Sequence, residues 1–197
     1  MSYILFFDTE TTDLPKFKLS TGDMTQPYVI QLAAILTNLR GHVVEEWSTL
    51  VQVGDVEMSP YAFKAHGITL EKANSEGISI KAAWKKFSSM VSDSSIIVGH
   101  NIPFDIRMMR IHCHRAIGDD WEVIQDTHCT MRLANPIVNL PPTPRMLEVG
   151  FTFPKNPTLT EAYRYFFDKE LEGAHDALAD VRACKEIFFE IASSIDF

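Results

Sequence analysis

The chain opens on an unbroken apolar run, Tyr3-Ile4-Leu5-Phe6-Phe7, rich in β-branched and aromatic side chains. It predicts a buried first strand that continues into Asp8-Thr9-Glu10. Lys16–Gln26 is polar, holds Gly22 and precedes Pro27, and reads as a loop. Apolar positions return over Tyr28–Thr37 and His42–Val53. Between them Asn38-Leu39-Arg40-Gly41 reads as a turn, with Gly41 able to take a positive φ. Three strands in succession predict an antiparallel meander.

After Pro60 the period changes. Tyr61–His66 reads as a short helix ending before Gly67. Ser79–Val91 sets Ala82, Ala83, Phe87, Met90 and Val91 at helical spacing, an amphipathic helix. Ser95-Ile96-Ile97-Val98-Gly99 is a short apolar strand of the kind buried on both faces. Pro103–Ala116 reads as a helix with proline in its first turn, where proline is tolerated. Val123-Ile124 is expected as a last short strand and Thr127–Ala134 as a further helix. Asn135–Pro157 holds six of the ten prolines, Pro136, Pro141, Pro142, Pro144, Pro154 and Pro157, and is expected to be one long irregular excursion. Leu159–Phe167 and Asp176–Ser193 close the chain as helices. With no repeat and no linker, the pattern predicts one α/β domain over residues 1–197 with a mixed sheet.

Composition narrows the class. Hydrophobic residues make up 46% and charged residues 22%, the balance of a globular domain. No apolar stretch approaches the ~18 residues of a membrane span, so a membrane partner is not expected. Met1–Phe7, interrupted at once by Asp8 and Glu10, does not make a signal peptide. The three cysteines, Cys113, Cys129 and Cys184, form no CxxC pair, which points to a reducing cytoplasm. The net charge of −8 argues against a nucleic-acid partner unless a basic patch is local or bound cations supply positive charge.

Candidate chemistry lies in three blocks. Asp8 and Glu10 stand two apart at the end of the first strand and so project to one side. Paired carboxylates on a buried strand repel unless one is protonated or a cation sits between them. Hard oxygen donors favour Mg²⁺ or Mn²⁺. The buried strand delivers His100-Asn101-Ile102-Pro103-Phe104-Asp105, with Asp105 in the first turn of a helix, where the dipole favours an anion. Gly173-Ala174-His175-Asp176-Ala177-Leu178-Ala179-Asp180 follows far down the chain. At about 100° per residue, His175 and Asp180 share no helix face. His175 is therefore placed on the loop, with Asp176 as N-cap and Asp180 inside the helix.

These residues match a family. Phe7-Asp8-Thr9-Glu10-Thr11-Thr12, His100-Asn101-x-x-Phe104-Asp105 and His175-Asp176-Ala177-x-x-Asp180 resemble the three motifs of the DEDDh 3′–5′ exonucleases, which share a ribonuclease-H-like fold. Within that family the chain is most like the proofreading epsilon type of bacterial DNA polymerase III. Ala65-His66-Gly67-Ile68-Thr69 also resembles an epsilon segment, which implies that His66 contacts the terminal nucleotide. By the same likeness Leu14 wedges against the last bases, and Thr11, Tyr61 and Asn101 join the substrate contacts. Two departures stand out: Asp13 precedes Leu14 where the family usually has glycine, and Tyr61 stands where epsilon-like chains tend to be acidic. The sequence ends at Phe197 without the epsilon tail that grips the polymerase, so a polymerase or replication partner is left open. Oligomeric state is not legible.

The resemblance implies hydrolysis at single-stranded 3′ ends, DNA favoured over RNA, releasing nucleoside 5′-monophosphates. Asp8, Glu10, Asp105 and Asp180 would hold two divalent cations, Mg²⁺ or Mn²⁺, and His175 would take the proton of the attacking water. Arg132, Arg145, Lys155 and Arg164, in and around the proline-rich segment, are candidate phosphate contacts, though most are read as solvated surface charges, and Phe104 is read as core. Two rival readings are weighed. Asp8-Thr9-Glu10-Thr11 with Asp119-Asp120 faintly resembles a haloacid-dehalogenase phosphatase, against which Glu10 replaces the expected second Asp. A non-catalytic module on the same fold is opposed by the presence of all five reactive side chains. His112-Cys113-His114 is not taken as a metal cluster, because residues two apart on a helix diverge.

Overall fold

The structure, a computed structural model, describes residues 2–194. Met1 and the end of the chain to Phe197 lie outside the described residues, so the reading of the two termini is not addressed by it. The first half runs β1 (Tyr3–Thr11), β2 (Val29–Asn38), β3 (Val43–Gln52), α1 (Pro60–His66), α2 (Leu70–Glu76), β4 (Ile78–Ser79) and α3 (Ile80–Asp93). The second half runs β5 (Ser94–Gly99), α4 (Ile102–Ile117), β6 (Asp126–Cys129), α5 (Thr130–Val138), α6 (Pro144–Glu148), α7 (Leu159–Phe167) and α8 (Ala177–Ser193). The sheet has the order β4-β3-β2-β1-β5-β6. β1, β2 and β3 pair antiparallel, and β5 and β6 add on parallel to β1, the mixed ribonuclease-H-like sheet that the sequence predicts.

Period-two alternation in β1 builds a core on each face of the sheet. Leu5 and Phe7 face α3 and α4, packing with Phe87, Met108 and Met109. Ile4 and Phe6 face α8, packing with Ala177, Val181 and Cys184. The β2–β3 turn closes as expected, with Gly41 at φ 82 donating its N–H to Asn38.

Three elements depart from the sequence reading. Val123-Ile124 is not a strand: Ile124 is exposed, and buried Trp121 anchors this stretch edge-on against Phe87 instead. The strand is Asp-Thr-His-Cys, Asp126–Cys129, which is largely polar and is set by pairing with β5 rather than by an apolar run. The helix expected over Thr127–Ala134 begins at Thr130 and runs through Pro136 to Val138. The proline-rich excursion is therefore partly ordered: α5 takes its start, a bridge between Leu140 and Lys155 ties its ends, and α6 sits inside.

Candidate active site

β1 outruns its parallel neighbour. Pairing with β5 ends at Phe6–Val98, while pairing with β2 continues to Thr11. Asp8 and Glu10 thus stand at the carboxyl end of the strand, beside the crevice opened where β5 turns into α4. Such crevices are the usual ligand sites of α/β sheets. The register shift after Glu10 ends the regular alternation there. A cleft of about 560 Å³ opens at this point. All ten residues singled out from the sequence line it: Asp8, Glu10, Thr11, Leu14, Tyr61, His66, Asn101, Asp105, His175 and Asp180.

The carboxylates come from both faces of the sheet. Asp8 and Glu10 share the alternation of Ile4 and Phe6, the side that carries α8 and Asp180. Asp105 belongs to α4 on the opposite side, where Thr9 holds it. The Thr9 main-chain N–H donates to Asp105 Oδ1 at 3.1 Å and its hydroxyl donates to the same oxygen at 2.8 Å. Asp180 Oδ2 accepts the main-chain N–H of His175 at 3.2 Å, while its Oδ1 is buried with no partner. A carboxylate oxygen of Glu10, one of Asp180 and a ring nitrogen of His175 lie within 4.8 Å of one another.

Crowding shows in the proton affinities. Burial, then the charges of Asp105, Glu10 and Asp180, holds Asp8 well above the ordinary carboxylate range. Burial and the Asp180 and Asp105 charges push Glu10 up to about 8. Burial raises Asp105 to about 7 against the opposing pull of the Thr9 hydrogen bonds. Burial also raises Asp180 to about 6, opposed by the His175 N–H. Four carboxyl groups that resist ionisation and one orphaned buried oxygen are the chemistry of a divalent-cation centre.

The surrounding scaffold is specific. Asp176 caps α8, accepting from the N–H groups of Leu178 and Ala179, as the sequence indicates. His175 sits before it at φ 69, a left-handed conformation rare for a histidine. Asn101 likewise takes φ 66 at the start of α4, and its side chain makes no cap, leaving the amide in the cleft. His66 accepts the Ile68 N–H on Nδ1 at 3.0 Å, so its Nε2–H donates to the Thr11 carbonyl at 3.2 Å. Burial, opposed by the Thr11 hydrogen bond, lowers the proton affinity of that ring. Its nitrogens are committed to tying α1 to the end of β1, and the residue lines the cleft.

Three supporting residues escape a sequence reading. Thr9 was visible only as the residue between two acids. Gln31, opposite Glu10 on β2, donates from Nε2 to Asp176 Oδ2 at 3.0 Å and accepts the Ala177 N–H on Oε1 at 3.1 Å, docking the start of α8. A buried glutamine inside an apolar strand was its one signal. His100 bonds Thr130 Oγ1 through Nδ1 at 3.0 Å and the Pro157 carbonyl through Nε2 at 3.1 Å, and burial lowers it to about 4. It therefore pins the chain entering α7, whose Leu159 lines the cleft.

The rival constellations disperse. Asp120 lies in a different depression, bonded by the Thr21 hydroxyl and His114. His112 is buried on the Ile80 carbonyl, so it and His114 face different ways.

An acid-walled crevice at the carboxyl end of a mixed sheet of this order is a seat for divalent cations, and likeness to known proteins gives its class. A family model described as an exonuclease domain, RNase_T, matches residues 5–188, and the chain belongs to that exonuclease family. Over 122 residues it is 30% identical to the PolC-type DNA polymerase III of Thermotoga petrophila, covering 62% of this chain and 9% of that one. Over 115 residues it is 32% identical to the PolC-type enzyme of Thermotoga maritima, covering 58% and 8%. The chain thus spans less than a tenth of these relatives. In fold it is similar to E. coli exonuclease I in complex with a dA16 oligonucleotide, with a TM-score of 0.73 and 22% identity over 98% of this chain and 41% of that one. The same enzyme with a dT13 oligonucleotide gives a TM-score of 0.75. No helix among the described residues is long and apolar enough to cross a membrane.

Proposed function

We propose that this chain is a 3′–5′ exonuclease acting on single-stranded DNA ends and releasing nucleoside 5′-monophosphates. The observation that carries it is the convergence of Asp8, Glu10, Asp105, His175 and Asp180 in one cleft, with Asp180 Oδ1 buried and unpartnered. The oligonucleotides in the exonuclease I complexes and the polymerase context of the PolC relatives favour DNA over RNA. They also favour a replication partner.

Asp8, Glu10, Asp105 and Asp180 would hold two divalent cations, Mg²⁺ or Mn²⁺, which supply Lewis-acid activation of water and neutralise charge at the reacting phosphate. Thr9 fixes Asp105 and the His175 N–H fixes Asp180, so the ligands are oriented before any substrate arrives. His175 takes the proton of the water whose oxygen attacks phosphorus, and the bond to the 3′ oxygen of the preceding nucleotide breaks. Leu14 and Tyr61, 72% and 86% exposed at the rim, offer apolar surface to the terminal bases. The Asn101 amide is free for the sugar or phosphate of the last nucleotide.

A 5′-labelled single strand tests this directly. It should shorten as a ladder from the 3′ end with Mg²⁺ and stay intact with EDTA. A frayed 3′ end should be cut faster than a blunt paired one, since unpairing costs energy that a single strand does not pay. Cutting of circular single-stranded DNA would count against the reading, and a faster ladder on matched RNA would reassign the substrate.

A further inference from the structure

A second cleft, of about 510 Å³, lies against the other flank of α4. Arg107, Arg110 and Arg132 line it, with Phe17 at its mouth, 67% exposed. In a chain of net charge −8 this clustering is unusual, and none of the three arginines enters an ion pair among the described residues. Arg107 and Arg110 are braced by main chain, donating to the carbonyls of Leu19 and Trp121. Arg107 Nε is left buried without a partner. Asp120 and Glu122 stand on the far side of Arg107 and Arg110, and Asp120 is already taken by Thr21 and His114. Arg107 feels the Asp120 charge from that side, but no carboxylate lines the cleft itself, so guanidinium groups braced by main chain face it as a site for anions, and phosphate suits their forked donors.

The two clefts share walls. The cap and first turn of α4 give Asn101, Phe104 and Asp105 to the acidic cleft, and its first three turns give Pro103, Arg107 and Arg110 to the basic one. One loop likewise gives Leu14 to the first and Phe17 to the second, with exposed Lys16 and Lys18 beside Phe17. A positively charged groove with an exposed aromatic ring is the arrangement that holds single strands without reading sequence. We infer that the arginine cleft binds the phosphates of the strand upstream of its 3′ end, with Phe17 stacking on a base, so that a strand crosses the start of α4 from one cleft to the other. This rests on the exonuclease reading for the identity of the strand.

Binding separates the two. The affinity of a fluorescent thymidine octamer, dT8, and of the dinucleotide dT2 is measured by anisotropy with Ca²⁺, which binds oxygen ligands. Arg132 makes no hydrogen bond or ion pair among the described residues, so Arg132→Glu removes no internal support. The expected result is about a tenfold loss for dT8 and less than twofold for dT2, since dT2 is too short to leave the acidic cleft. The Arg107→Gln/Arg110→Gln/Arg132→Gln variant should flatten the salt dependence for dT8 by about 0.7 in log–log slope per arginine removed. Unchanged dT8 affinity in Arg132→Glu overturns the inference. So does a wild-type protein that binds dT2 and dT8 alike, even where it degrades DNA as a ladder. Loss of binding to octaglutamate, with dT8 unaffected, would give the cleft to an acidic protein segment instead. Arginine-dependent, length-dependent binding with no hydrolysis of any strand would keep the cleft assignment and remove the exonuclease reading.

Discussion

Thr9 meets Asp105 twice, through its main-chain N–H at 3.1 Å and its hydroxyl at 2.8 Å, and both bonds fall on the same oxygen. Oδ2 of this cleft-lining residue takes neither bond. Thr9→Val keeps the shape and removes one of two donors to a buried carboxylate, a loss of about 1.5–3 kcal/mol for a bond to a charged group. Cation affinity should fall about tenfold or more, with substrate KM little changed. Titration calorimetry with Mn²⁺ beside steady-state rates checks it, and an unaltered Mn²⁺ affinity would show that Thr9 does not set the ligand.

Asp8 and His175 should separate cleanly. Asp8→Ala removes the carboxylate most crowded by its neighbours, so Mn²⁺ binding and activity should both collapse. His175→Ala leaves all four carboxylates, and the expected loss is one of rate, on the order of 10²–10⁴-fold. The ring nitrogen lies within 4.8 Å of oxygens of Glu10 and Asp180, so the comparison is a sharp one. Mn²⁺ binding lost as fully in His175→Ala as in Asp8→Ala would make His175 a ligand or a support rather than the base.

The raised carboxyl groups set a pH dependence of stability. In the metal-free protein Glu10, Asp105 and Asp180 titrate at about 8, 7 and 6. Folded values above unfolded ones mean stability that is complete below about pH 4 and is lost as pH rises through the folded values. Cations relieve the repulsion only once the ligands are deprotonated. Mg²⁺ should therefore raise the melting temperature more at pH 8 than at pH 5.5, and binding at pH 7 should release protons, seen as a buffer-dependent calorimetric heat. Equal gains at both pH values would contradict the crowded-carboxylate account.

Gln31 should behave as a positioning residue. Gln31→Leu strips one partner from Asp176 and the partner from the Ala177 N–H, at a cost of about 1–3 kcal/mol in unfolding free energy. The start of α8 then loses its register against β2, so kcat should fall more than the thermal shift explains, with KM nearly constant. Urea melts and single-turnover rates on the same preparation check it. Full activity with the expected loss of stability would limit Gln31 to a structural role.

The site was more legible than its supports. Asp8, Glu10, Asp105, His175 and Asp180 could be read because strand alternation, a helix first turn and a capping aspartate each fix where a side chain goes within a few residues. Thr9, Gln31 and His100 matter through partners 96, 145 and 57 residues away, and local pattern carries no such information. The elements failed at the same kind of place. β6 is a polar strand made by its neighbour, and α5 takes in Pro136 from the segment expected to be irregular, because a helix held by tertiary packing can run through a proline that an isolated one would not tolerate. Arg132 is one of four candidate phosphate contacts in the sequence, and only the fold singles it out, by lining one cleft with Arg107 and Arg110 of α4.

The four carboxylates rise from two separately packed layers, Asp105 from the side of α4 and the other three from the side of β1 that meets α8. Cations held among them would act as a rivet through the end of the sheet, joining the hydrophobic cores on its two faces. Whatever loosens either layer, however far from the cleft, opens the rivet's seat. In such a protein the loading of the centre is also a gauge of whether both halves of the fold are shut.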